Sequence, residues 1–161
     1  MPLCKNANQI LQVNNINNGQ PQDKADDLAQ QVVDRMMQTD YFSQWMGVEV
    51  LEVKYGYSKI KMVLRKEMLN GFGIAHGGVT FALADSAFAF ACNSDGKITV
   101  ALDVSISFPR PGKEGDTLIA EAKNVNKTNR TGLYLITVTN QHSELVALFK
   151  GTCYKTEKKL L

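Results

Sequence analysis

The sequence predicts an α+β fold in which an antiparallel sheet wraps around one central buried helix. Three observations carry this expectation. Residues 79–92 are apolar on nearly every face of any helix they could form, so that helix has no solvent side. Two strand candidates precede it and four follow, an order that suits a sheet curling around it. A chain of 161 residues is large enough for one domain with a single sizeable core.

Residues 1–22 are rich in Asn and Gln, hold few apolar residues and show no period, so they are expected to form a mobile leader. The folded domain is expected over residues 23–156. Asp23, Asp26 and Asp27 suit the first turn of a helix, where acids complement the dipole. Leu28, Val32, Met36 and Met37 then recur at near-helical spacing. Thr39-Asp40 reads as a break or fresh cap before Tyr41, Phe42, Trp45 and Met46. Val48–Val53 and Ser58–Leu64 read as strands joined at Tyr55-Gly56-Tyr57, a hairpin signal. Arg65-Lys66-Glu67 reads as a solvated turn. After the central helix, Asp95-Gly96 supplies turn residues. Strands are then expected over Ile98–Phe108, Asp116–Ala122, Leu133–Thr139 and Leu145–Tyr154, with a charged, fraying tail over residues 157–161.

Composition excludes some functions. The formal charge is +2 with no strongly basic block, which gives no case for nucleic acid. Cys4, Cys92 and Cys153 are odd in number and irregularly spaced, forming neither a metal pattern nor a disulfide framework. The N-terminal residues lack an apolar signal core. The apolar helix falls short of the roughly 20 residues that span a bilayer and holds an acid in its middle. Neither a membrane nor a metal is expected, and the cytoplasm is the expected location.

The chemistry gathers in NGFGIAHGGVTFALADSAFAFACNS, residues 70–94. Asp85 is a carboxylate where the surroundings disfavour charge. Gly77 and Gly78 stand where the helix should begin, so their N–H groups belong to its unpaired donors. Such donors, backed by the helix dipole, suit an oxyanion or polarised carbonyl, and glycine permits close approach. Donors for an oxyanion plus one buried acid are the parts needed to hydrolyse an acyl group. A plainer alternative is a buried Asp held by a backbone or hydroxyl partner, with His76 as a cap.

Asn70, His76-Gly77-Gly78, Leu83-Ala84-Asp85, the run from Ala87 to Ser94 and Phe108-Pro109-Arg110-Pro111-Gly112 together resemble the hotdog-fold thioesterases of the phenylacetate-degradation (PaaI) type. The resemblance spans roughly residues 25–156. It implies the hotdog fold, an acyl-CoA substrate and self-association as a dimer or a dimer of dimers. It also implies hydrolysis without metal or organic cofactor, and favours aryl-acetyl thioesters. Asp85 would attack the carbonyl or activate water, Gly77 N–H would polarise the carbonyl, and His76 and Asn70 would support that site, with Gly78 beside the substrate. Many relatives carry a Ser or Thr on the following strand to position water. Here Asp103, Ser105 and Ser107 alternate on one face, and Ser105 is the candidate. Asp103 beside Asp85 would raise a pKa through like charge. Arg110 could meet a coenzyme A phosphate or be a solvated turn residue. Phe88, Phe90, Trp45 and Tyr41 are candidates for an aryl or medium-chain pocket, or plain core. A hotdog hydratase or dehydratase and a non-catalytic acyl-CoA binding protein are the alternatives on this fold.

Overall fold

The computed structural model describes residues 22–161; the expected leader lies outside them except for Gln22, which already opens the first helix. Helix α1 (Gln22–Met37) and the short α2 (Tyr41–Met46) come first. The hairpin β1 (Glu49–Lys54) and β2 (Tyr57–Val63) follows, then the central helix α3 (Gly77–Asn93). Four strands complete the chain: β3 (Lys97–Ser107), β4 (Thr117–Lys127), β5 (Thr131–Thr139) and β6 (Leu145–Lys159). All six strands form one antiparallel sheet in the order β1-β2-β4-β5-β6-β3.

The sheet curls round α3, as the apolar run requires. Leu83, Ala84, Ala87, Phe88, Phe90 and Ala91 are buried against inward-facing Ile60, Leu118, Ile136 and Phe149. Phe88 stands edge-on to Tyr134 with ring centroids 5.5 Å apart. Gly151 makes room for it, since a Cβ there would sit 2.8 Å from the Phe88 ring. Phe88 and Phe90 are therefore core residues.

Two strand ends and one turn differ most from expectation. β4 continues five residues past Ala122, to Lys127, and β6 reaches Lys159 instead of fraying after residue 156. Pairing explains both extensions. Lys127 faces Gly132 on β5, and Lys159 faces Lys97 on β3. Arg65-Lys66-Glu67, read as a solvated turn, leads into a single 3₁₀ turn over Lys66–Met68 that buries Met68. In α1 the fully buried positions are Ala29, Val32 and Val33. Leu28, Met36 and Met37 flank them half-buried.

Asp40 caps α2 as expected, accepting from Ser43 N–H at 3.0 Å. The far end of α3 is tied down by charge. Asp95, just past the helix, takes hydrogen bonds from Lys127 at 3.3 Å and from Lys155, joining α3 to β4 and β6.

Candidate active site

The first turn of α3 has four backbone donors, and three are occupied. His76 is the N-cap, with ψ 129°, and its Nδ1 accepts the Gly78 N–H at 2.9 Å. Its carbonyl accepts Val79 N–H at 2.9 Å and Thr80 N–H at 3.3 Å. Of these four donors, the Gly77 N–H alone has no acceptor among the described residues. Gly78 was expected to offer a second free donor. Its N–H is instead consumed by the imidazole Nδ1, which accepts it.

Gly77 opens on a cleft of about 310 Å³, also lined by Asn70, Thr80, Phe108, Arg110 and Val146. Asn70 shapes the approach. Its Oδ1 accepts Phe72 N–H at 2.9 Å and Ile74 N–H at 3.4 Å, which leaves its Nδ2 donors unpaired among the described residues. Phe108 lays its ring 3.5 Å from where a Gly77 Cβ would be. Arg110 pairs with Glu144 at 3.2 Å on the exposed rim. Such surface pairs contribute only about 0–1 kcal/mol, so the guanidinium is available to another anion. Thr80 and Phe108 line the cleft too, though the sequence does not mark them as site residues. Thr80 stood out in the sequence only as a polar break in an apolar helix.

Asp85 lies eight residues further along α3 and is not part of that cleft's lining. It is half-buried, and no hydrogen bond to its carboxylate forms among the described residues. Burial pushes its pKa above the ordinary aspartate value. The plainer expectation of a backbone or hydroxyl partner is not met. Beside it, Ser86 Oγ meets Ser43 Oγ at 2.9 Å, and Ser43 donates to Asp40 at 2.6 Å. That chain anchors α2 next to Asp85. α2 presents Tyr41, Phe42 and Trp45 outward, Phe42 and Trp45 stacked with centroids 5.7 Å apart.

The structure does not bring Ser105 to Asp85. On β3, Val104 and Ile106 pack on the core, so Asp103, Ser105 and Ser107 point to the opposite face of the sheet. Ser105 stands opposite exposed Lys150, while Ile106 stands opposite buried Phe149.

An antiparallel sheet wrapped on one helix is the hotdog architecture, and a free amide at that helix's start with a half-buried acid along it suits a hydrolase. The comparisons agree. The thioesterase superfamily matches residues 72–147. A protein of Archaeoglobus fulgidus is 43% identical over 135 residues, 84% of this chain and 88% of that relative. The Escherichia coli acyl-coenzyme A thioesterase PaaI is 40% identical over 120 residues, 74% of this chain and 86% of its own. The solved E. coli PaaI structure superposes with a TM-score of 0.83, covering 84% of this chain and 98% of that one. A Streptococcus mutans protein solved bound to acetyl-CoA is 31% identical, with a TM-score of 0.67 over 70% of this chain and 90% of that one. The chain belongs to the PaaI-type hotdog thioesterase family and is a thioester hydrolase.

Proposed function

We propose that the protein hydrolyses acyl-CoA thioesters, with aryl-acetyl (phenylacetyl or hydroxyphenylacetyl) or medium-chain acyl groups as substrates. One observation carries this: among the described residues, the first turn of α3 leaves one N–H free, at Gly77, and the same helix bears a half-buried acid without a partner, Asp85. The Gly77 N–H polarises the thioester carbonyl at the positive end of the helix dipole. Asp85 attacks the carbonyl carbon or takes a proton from the water that does, and CoA leaves as its thiolate. Its raised pKa makes it a stronger base than an exposed aspartate. His76 holds the first turn in place, and Asn70 shapes the loop before it. Arg110 meets a coenzyme A phosphate, a role supported by its place on the cleft rim.

Each site is built from two chains. Gly77 and Asp85 are separated by about 12 Å of helix rise, whereas reacting atoms must approach to about 3–3.5 Å. An Asp side chain does not span that gap. Two α3 helices paired antiparallel about a two-fold axis bring one chain's Gly77 to the other's Asp85. Two features support this pairing. Ala82, Asp85 and Ala89 leave a half-covered stripe of short side chains on α3. β3 is a sheet edge that exposes Val100 and Leu102, the latter by 60%.

The outward Phe42–Trp45 pair, held beside Asp85 through Ser43 and Ser86, supports an aromatic acyl group. The test is a panel of acyl-CoAs of graded length, including phenylacetyl and hydroxyphenylacetyl members, read by CoASH release. Turnover highest for aryl-acetyl or medium-chain members is expected. No CoASH release from any member would overturn the proposal.

A further inference from the structure

Thr80 is only 2% exposed, yet its hydroxyl has no hydrogen-bond partner among the described residues. A helical threonine ordinarily donates to the carbonyl four residues back. Here that carbonyl is His76 O, and its two lone pairs are already taken by the N–H groups of Val79 and Thr80 itself. No fully buried side-chain oxygen or nitrogen among the described residues lacks a partner. The Thr80 hydroxyl must therefore reach an opening, and the opening it lines is the cleft shared with Gly77 and Asn70.

We infer that Thr80 is a second donor to the thioester carbonyl, its hydroxyl completing with the Gly77 N–H a two-point oxyanion site. Helix geometry permits this. Residues three apart share a face, with Cβ atoms about 5–6 Å apart. Every Cα–Cβ bond also tilts toward the helix N-terminus, which carries the Thr80 hydroxyl down toward the Gly77 amide. When the nucleophile's oxygen bonds to the carbonyl carbon, the carbonyl π pair moves onto oxygen. Gly77 N–H and Thr80 O–H donate to that oxyanion without giving up their protons. The pair then returns as the carbon–sulfur bond breaks and CoA departs. An unpaired hydroxyl waiting in a mostly buried position is preorganised for the charge and needs no rearrangement to meet it.

The assignment rests on the thioesterase reading, and one set of assays separates the two. Thr80→Ser and Thr80→Ala differ by one oxygen atom, and both are smaller than the native side chain. Thr80→Ser is expected to keep kcat within about threefold of wild type. Thr80→Ala should lose about tenfold or more in kcat, toward the range seen when an oxyanion donor is removed, with KM for acyl-CoA little changed. Equal kcat for the Ser and Ala variants overturns the assignment while leaving the thioesterase reading intact. So does a loss in Thr80→Ala that falls on KM alone. Wild-type protein that releases no CoASH overturns both. Should either variant fold poorly, Thr80→Val, nearly isosteric with threonine, gives the same comparison against wild type.

Discussion

Asp85 carries its charge against its surroundings, and this links activity to stability. Its folded pKa lies above the unfolded one because burial disfavours the carboxylate. The stabilising contribution is fully present below the unfolded pKa, about 3.9, and is lost as pH rises through the folded value. Above the folded value the ionised side chain therefore subtracts from stability. Asp85→Asn should melt above wild type at pH 7, and the gap should close below about pH 4. The same variant should lose kcat by a factor on the order of 10² or more, the loss expected for a missing base. In wild type, kcat should fall on the acid side with a midpoint above the ordinary aspartate value. Near-normal turnover in Asp85→Asn would remove the acid from the mechanism. On the cleft rim, Arg110→Ala should raise KM for acyl-CoA more than for a truncated pantetheine thioester. Equal effects on both substrates would place Arg110 in the fold or the chemistry instead. Asp85 and Gly77 were legible in the sequence because a lone acid in an apolar helix and glycines at its start are local features. The loss of the Gly78 donor was not, because it depends on the rotamer of His76. The unpaired Thr80 hydroxyl was also hidden, since it depends on which lone pairs of His76 O are filled.

Among the elements, α3 is held at one end by the His76 cap and at the other by Asp95. Burial pushes the Asp95 carboxyl up, but the Lys155 hydrogen bond and the charges of Lys127 and Lys155 bring it below the ordinary value. Its contribution is present above the unfolded pKa and is lost as pH falls through the folded one. Asp95→Ala leaves two largely buried lysines, Lys127 and Lys155, without their shared partner. Chemical denaturation at pH 7 should show a loss of about 3 kcal/mol or more, as for other broken buried pairs. A loss under about 1 kcal/mol would mean that the lysines find other partners or water. The strands β1, β2, β3 and β5 were legible from alternation and turn residues. The ends of β4 and β6 were not, because Lys127 and Lys159 are polar and extended only by their cross-strand neighbours. Ser105 shows the same limit. Alternation groups it correctly with Asp103 and Ser107, but which face meets the helix is decided by Phe149 on the adjacent strand.

For the whole molecule, the proposal stands on a distance. One helix holds both Gly77 and Asp85, yet they lie too far apart to act on one carbonyl unless the acid comes from a second chain. Co-expression of Asp85→Asn with Gly77→Pro tests this most directly. Proline removes the Gly77 N–H and is tolerated in a first helical turn. His76 before it, at ψ 129°, already has the extended backbone that a following proline requires. The added Cβ would meet Phe108 at 3.5 Å, an ordinary contact. Each mutant alone should be inactive. Isolated mixed dimers should regain CoASH release at one site in two, combining Gly77 of the Asp85→Asn chain with Asp85 of the Gly77→Pro chain. Folded mixed dimers as inactive as their parents would contradict a site shared between chains.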